Sequence, residues 1–366
     1  MTNLEALDRA IQDKQIKKIL ILQLGGIGDL ELSIPALEAL RDKFKEAYIS
    51  LLVIPRSAEL IRGLAYIDSF FILEIYYTNL IYLLKWKALM KIFKAIKDLR
   101  QEKFDLAINL ENISSLKGAI KMLFLFWLIG AKFWVGRDTD GRGFFFHLKI
   151  KEEGHAQRHE IEANLDVARA LGADAKQIKL ELPIFQEDKV FISDFLIKNN
   201  ISDQDLAIGL NPGAFNLTRR WFEPCWAALA DQLVENYNCK IIITAQDSER
   251  QMINTILSLT IKKQIIAVTN LTLKQLAVLI KRFNLFITND SGPMHIAAAS
   301  STPIIALFGP GDIYKFSPYC SRDRYQIIRK EVDCKRPCYA SSCRSHQCMR
   351  LITVEDILEA VKKVLR

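Results

Sequence analysis

Leu285-Phe286-Ile287-Thr288-Asn289-Asp290-Ser291-Gly292-Pro293-Met294-His295 is the stretch on which the fold turns. Its first four residues have the length and composition of a buried strand, and the chain then changes character within three residues. Asp290 and Ser291 are good helix N-caps, Gly292-Pro293 suits a first helical turn, and the small residues of 296–300 continue it. A strand therefore feeds directly into a helix N-terminus. Main-chain N–H groups and the positive end of the helix dipole converge at such a junction, which suits a phosphate or diphosphate, with His295 at the same mouth. An ordinary strand–turn–helix with a capping Asp and a satisfied histidine is the alternative, and other segments must separate the two.

The same alternation recurs on both sides. Strand-like runs at 206–210, 240–244, 265–268 and 304–308 surround the quoted stretch, with helical patterns between them. Upstream, a first set lies at 19–22, 49–54, 70–75, 106–110 and 133–135. The expected class is α/β, with two Rossmann-like halves built on parallel sheets. The more polar region 151–181 carries one helical pattern at 159–171 before Leu182-Pro183, and marks the hinge side of the first half. The expected domains are 1–185 and 186–350. A closing helix within 351–366 begins on the capping pattern Thr353-Val354-Glu355-Asp356 and is expected to pack back on the N-terminal domain. In open parallel sheets ligands sit beyond the carboxyl ends of the strands, so two such domains facing one another would put function in a cleft. The loops at 23–29, 211–220, 245–249 and 289–295 would line it.

Composition is permissive. A chain of 366 residues, 50% hydrophobic and 25% charged, has material for two cores, and its formal charge of +8 suits an acidic partner such as phosphate, nucleotide or an anionic membrane surface. Residues 1–18 carry Glu5, Asp8 and Asp13 without an apolar core, so no secretory signal is expected, and the expected compartment is the cytoplasm. The apolar run 122–129 lies between Lys121 and Lys132 and falls short of the roughly 20 residues a spanning helix needs.

The first glycine loop is a poor dinucleotide fingerprint. Gly26 and Gly28 supply two glycines, but Glu31 takes the third place, and the next strand ends at Pro55-Arg56 without an acidic ribose partner. That loop does place Asp29 at a helix start, where its carboxylate could take a proton from a substrate hydroxyl or serve simply as a cap. Asn211-Pro212-Gly213-Ala214 follows a strand and leads to Arg219-Arg220-Trp221, whose guanidinium forks are suited to phosphate. Asp247 and Glu249, after the 240–244 strand, sit where a carboxylate could hold ribose hydroxyls, the alternative being ordinary surface charge.

Taken together, Gly28-Asp29 with Pro35-Ala36-Leu37, the Asn-Pro-Gly-Ala loop before Arg-Trp, and Asp290-Ser291-Gly292-Pro293-Met294-His295 running through Ala297-Ala298-Ala299 to Phe308-Gly309-Pro310 resemble glycosyltransferase family 9, the ADP-heptose lipopolysaccharide heptosyltransferases. The resemblance covers nearly the whole chain, from Ile19 to Leu365. It implies a GT-B fold, with an N-terminal acceptor domain and a C-terminal nucleotide-sugar domain. It implies an inverting, metal-independent transfer of a heptose or related sugar from an ADP-sugar to a lipopolysaccharide-core or other glycolipid acceptor. Asp29 would be the base, and Arg220 would take the place of the family's diphosphate-binding lysine, with Arg219 beside it. Asp290, Ser291, Gly292, Pro293, Met294 and His295 would line the donor site. Ser291 stands where the family usually has Thr. Gly26, Gly28, Arg56 and Arg137 are the expected acceptor contacts. Competing readings are the same fold with another nucleotide-sugar, or a non-catalytic nucleotide-binding protein, against which Asp29 argues. Nucleic acid is not an expected partner, since it would leave the two sheets unused.

Two further features stand outside that pattern. Cys334, Cys338, Cys343 and Cys348 lie within fifteen residues, dense enough for a structural zinc or iron–sulfur site, the alternative being reduced or partly paired thiols. Lys85, Lys87, Lys91, Lys94, Lys97, Arg100 and Lys103 interleave with Trp86, Leu89, Met90, Ile92, Phe93 and Ile96. This is either a core-facing helix with a solvated lysine side or a peripheral attachment to an anionic inner membrane.

Overall fold

The computed structural model describes residues 2–74, 86–153, 157–178, 180, 182–262 and 264–365, the side chains of 87–89 excepted. Lys85 thus lies outside the described residues, as do the side chains of Lys87 and Leu89. The chain folds as two compact units, Met1–Lys179 and Leu180–Arg366.

Each unit is built on six parallel strands. In the first they are β1 (Lys18–Gln23), β2 (Tyr48–Val53), β3 (Ser69–Ile72), β4 (Leu106–Asn109), β5 (Phe133–Thr139) and β6 (Leu148–Glu152), in the spatial order β3-β2-β1-β4-β5-β6. In the second they are β7 (Ala207–Asn211), β8 (Lys240–Thr244), β9 (Ile265–Val268), β10 (Leu285–Asn289), β11 (Ile304–Leu307) and β12 (Tyr325–Ile328). Their order, read from the β9 edge, is β9-β8-β7-β10-β11-β12, the same topology again. Both are Rossmann-type sheets, with a switch in winding direction between β1 and β4 and between β7 and β10.

The strands hold because both faces are covered. In the second unit Ile208, Leu210, Ile241, Ile243, Leu285 and Ile287 enter one core, while Ala207, Ile242 and Phe286 enter the other, as the two-residue period of a strand requires. The first core carries the helices Glu223–Tyr237 and Arg250–Leu259, and the second carries Gln186–Lys198, Leu273–Arg282 and Gly292–Ala299. The central strands are apolar runs for this reason. The edge strands β6 and β12 are only half-buried and carry polar residues, and their sequences give no strand signal of comparable strength.

Two local features complete the fold. After the first glycine loop the chain forms two helices, Ile27–Glu31 and Ile34–Lys43, with Pro35 in the first turn of the second. The closing helix Val354–Val364 starts on the expected Thr353–Asp356 capping box. Its apolar face, with Ile357, Leu358, Ala360 and Val361, is buried in the second unit's own core beside the helix Glu223–Tyr237, β11 and β12. Within the second unit, this apolar stripe closes one face of the sheet.

Candidate functional site

In the first unit β1 ends in a turn that Asp29 itself holds closed. The Gly26 amide donates to Asp29 Oδ2 at 2.7 Å, and Gln23 Nε2 donates to the Asp29 carbonyl at 3.2 Å. Gly25 is pressed against this carboxylate: a Cβ there would stand 2.6 Å from Asp29 Cβ and 2.7 Å from Oδ2, so only glycine fits. A Cβ at Gly26 would lie 3.4 Å from Asp29 Oδ2 and 3.5 Å from Arg56 Nη2, which places both groups around the Gly26 backbone. Gly28 follows in the short helix, its carbonyl accepting from the Leu32 amide at 2.9 Å.

Across the switch point, β4 delivers Glu111, a residue that no motif in the sequence singles out. Asn109, the last residue of β4, folds the chain there by donating through Nδ2 to the Glu111 carbonyl at 2.7 Å. Burial, the nearby charge of Asp29 and that of Glu160 push the Glu111 carboxyl up to about 8, against a hydrogen bond from Gly25 and the charge of Arg137. Glu31 is fully buried, neither of its oxygens meets a hydrogen-bond partner among the described residues, and burial raises its pKa well above the carboxylate range. Arg137 lies deep in this unit. Its guanidinium is engaged by Glu152 at 2.5 Å, by Glu160, and by the Leu110 carbonyl at 2.9 Å. Burial opposes its charge, but Glu160 and Glu152 prevail and raise its pKa further.

In the second unit, β10 runs into the helix Gly292–Ala299 as the sequence suggested, with Pro293 in its first turn. Ser291 is the N-cap, yet its hydroxyl makes no capping bond. It donates instead to the Asn289 carbonyl at 3.2 Å and accepts from Asn211 Nδ2 at 3.2 Å. Asp290 is buried and pairs with Arg219 Nη1 at 3.1 Å. Gly311 makes room for it, since a Cβ there would fall 1.9 Å from Asp290 Oδ2. His295 is buried on the same helix, while Met294 faces the apolar core.

Arg220 is held from two sides. Its Nε donates to the Ala214 carbonyl at 2.8 Å and its Nη2 to Glu249 Oε1 at 2.8 Å, while Glu249 Oε2 accepts the Gln246 amide at 3.0 Å. Asp247 is exposed and pairs with Arg250. Trp221, only 1% exposed, anchors the arginine turn: its indole donates to the Ile352 carbonyl at 3.0 Å and its ring meets Trp226 edge-on at 5.3 Å. Two strand-terminal asparagines tie the loops together. Asn289 Nδ2 donates to the Pro212 carbonyl at 2.7 Å, its Oδ1 accepts the Trp221 amide at 3.3 Å, and Asn211 reaches Thr288 at 3.2 Å. Asn211 and Asn289 are thus positioning residues, and their common place at the ends of the two central strands is the signal for it in the sequence.

The cysteine-rich segment buttresses this turn without forming a metal site. Cys348 is buried against Gly309 with Met349, Cys338 donates its amide to Pro310 at 2.9 Å, and Cys334 and Cys343 are exposed. All seven cysteines are free thiols, and no group of three or more His, Cys, Asp or Glu among the described residues could hold a metal ion. The expected zinc or iron–sulfur site is therefore withdrawn. The thiols differ in depth: burial, with the nearby Cys334 and Cys343, pushes the Cys348 thiol up, while Cys334 and Cys343 themselves are exposed. The segment instead grips Thr218: its hydroxyl donates to the Ala340 carbonyl at 3.1 Å, and its carbonyl meets His346 Nε2 at 2.7 Å.

The profile of glycosyltransferase family 9 (heptosyltransferase) matches residues 92–348, well over half of the chain. The chain belongs to glycosyltransferase family 9. It is a glycosyltransferase with the GT-B architecture of two α/β units. It is similar to lipooligosaccharide heptosyltransferase 2 of Campylobacter jejuni, with 28% identity over 349 residues covering 92% of this chain and 96% of that protein. Among solved structures it resembles the family 9 glycosyltransferase of Veillonella parvula, with a TM-score of 0.75, 22% identity and coverage of 95% and 97%. It also resembles ADP-heptose lipopolysaccharide heptosyltransferase II of Escherichia coli, with a TM-score of 0.71, 21% identity and coverage of 95% and 98%.

Proposed function

We propose that this glycosyltransferase moves a heptose or closely related sugar from an ADP-linked donor to the core sugar of a lipopolysaccharide or lipooligosaccharide, with inversion at the transferred carbon. The observation that carries this is the second unit's anion site. There, Arg219 and Arg220 are each held by a carboxylate beside a helix N-terminus, in a family whose relatives include heptosyltransferases. The E. coli relative acts in ADP-heptose transfer by its name, which favours ADP as the nucleotide.

In the proposed reaction the acceptor oxygen forms a bond to the sugar C1 as the bond from C1 to the donor phosphate breaks. The hydroxyl proton passes to Asp29, and the electron pair leaves with the nucleoside diphosphate. The growing negative charge is met by Arg220, Arg219 and the amides of Ser291 and Gly292, donors already fixed before the reaction starts. Glu249 keeps Arg220 aimed, Asp247 is the group placed to meet a ribose, and Gly26, Gly28 and Arg56 receive the acceptor. Since guanidinium groups supply the counter-charge, transfer is expected to persist in EDTA.

A thermal-shift series with ADP, UDP, GDP and their sugar conjugates tests the donor, because a ligand that binds only the folded state raises its melting temperature. Selective stabilisation by ADP and ADP-heptose is expected. Selective stabilisation by UDP or GDP would assign a different nucleotide-sugar, and no response to any of them would remove the donor site.

A further inference from the structure

The helices Trp86–Gln101 and Leu116–Ile129 pack beside each other in the first unit, and Arg100 of one donates to the Leu128 carbonyl of the other at 3.2 Å. The second of them is apolar on two opposite faces. Ala119, Met122, Phe126 and Ile129 enter the core, where Phe126 meets Trp134 and Phe146 edge-on. Leu116, Ile120, Phe124 and Trp127, at helical spacing, form a stripe on the outside with exposures of 64%, 57%, 58% and 60%. The Phe124 and Trp127 rings stack there at 5.7 Å. The neighbouring helix adds Trp86, Met90 and Phe93 at 75%, 50% and 68%.

A helix apolar all round belongs in an interior, and an exposed apolar patch of this extent marks an interaction surface. The company of the stripe indicates its occupant. Lys94, Lys97, Lys117 and Lys121 are all exposed on the same two helices, as is Lys91, which pairs with Glu74 at 3.0 Å. The 116–129 helix has no acidic residue, and the 86–101 helix has Asp98 alone. Protein–protein interfaces are depleted in lysine, whereas Trp, Phe and Leu beside lysines are the composition of helices that lie in the headgroup layer of an anionic membrane. No helix of the described residues is long and apolar enough to cross one. We propose that this face rests on an anionic bilayer surface, with Leu116, Ile120, Phe124 and Trp127 entering the headgroup layer and the surrounding lysines meeting lipid phosphates. The membrane attachment suggested by the basic helix in the sequence thereby moves its apolar contact to the adjacent helix. The proposal goes beyond the transfer reaction and is measured on vesicles that contain no acceptor, so its failure leaves the donor and acceptor assignments untouched.

The test is co-sedimentation of the full-length enzyme with vesicles of phosphatidylcholine alone and of phosphatidylcholine with phosphatidylglycerol, at low and high salt. Binding to the anionic vesicles is expected, weaker on added salt. The double variant Phe124→Glu/Trp127→Glu should lose at least about tenfold in partitioning. Its side chains are exposed, so its melting temperature should be unchanged, and ADP-induced stabilisation provides a second check of folding. Lys117→Glu/Lys121→Glu should weaken binding and flatten its salt dependence. Failure of the wild type to bind anionic vesicles at low salt, or equal binding by the Phe124/Trp127 variant, would overturn the proposal. So would a concentration-dependent dimer in sedimentation velocity that the same variant disperses while vesicle binding is absent, which would assign the face to a second copy of the chain.

Discussion

The carboxyl ends of β1 and β4 and those of β7 and β10 occupy the same place in the same sheet topology, yet they are opposite in chemistry. The first switch point gathers carboxylates: Asp29 on the β1 side, Glu111 on the β4 side, and the buried Glu31 on the helix that Asp29 helps to start. The second gathers cations and a helix N-terminus, with Arg219 and Arg220 each paired to an acid that fixes its position. One fold unit used twice can therefore supply both halves of a transfer reaction. A parallel sheet fixes where loops emerge, and the residues on those loops decide whether the site takes a proton or holds a phosphate.

The difference can be broken at each end. The largest effect is expected at Asp29: Asp29→Asn keeps the shape and a hydrogen-bond acceptor for the Gly26 amide but cannot take a proton, so turnover should fall by about 10²–10⁴-fold in a steady-state transfer assay. Unchanged turnover would remove Asp29 from the mechanism. Next, Arg220→Ala should lower kcat/KM by about 10²–10³-fold through lost transition-state stabilisation. Arg220→Lys should recover only part of this, because an ammonium does not reproduce two N–H groups aimed at Ala214 and Glu249. Equal activity of the Lys and Ala variants would deny the charge a role.

The smallest effect sharpens the acidic side. Glu111 has its carboxyl raised from 4.5 to about 8, so the folded state holds a proton that the unfolded chain releases. The stability this contributes is fully present below about 4.5 and is lost as pH rises through about 8. Melting temperatures of the wild type should fall over that window, and those of Glu111→Gln, which is neutral throughout, should fall less. Parallel curves would show that Glu111 is ionised in the native protein at neutral pH.

Much of this arrangement was legible in the sequence, for physical reasons that differ between elements. The central strands, covered on both faces, are continuous apolar runs, and 19–22, 106–110, 285–288 and 304–308 all stand out as strands. The edge strands Leu148–Glu152 and Tyr325–Ile328 do not, since neither is fully buried and polar residues are tolerated there. The strand-end residues Asp29, Arg219, Arg220 and Asp290 are visible because their residue types are conspicuous beside glycines and helix starts. Glu111 is not, nor are the roles of Asn211 and Asn289 within their motifs: their importance comes from neighbours distant in sequence, such as Asp29 with Glu111 and Asn289 with Pro212 and Trp221. The cysteine segment misled for the reverse reason. Thiols close in sequence came to lie at different depths, Cys348 buried and Cys334 and Cys343 exposed.

The central claim is that the two switch points do separate work, the first moving a proton and the second holding the donor. Calorimetric titration of ADP into the wild type, Asp29→Asn and Arg220→Ala tests this most directly. The account predicts that Asp29→Asn binds ADP as the wild type does while Arg220→Ala loses about tenfold or more. Comparable loss of ADP affinity in both variants, or undiminished affinity in Arg220→Ala, would contradict it.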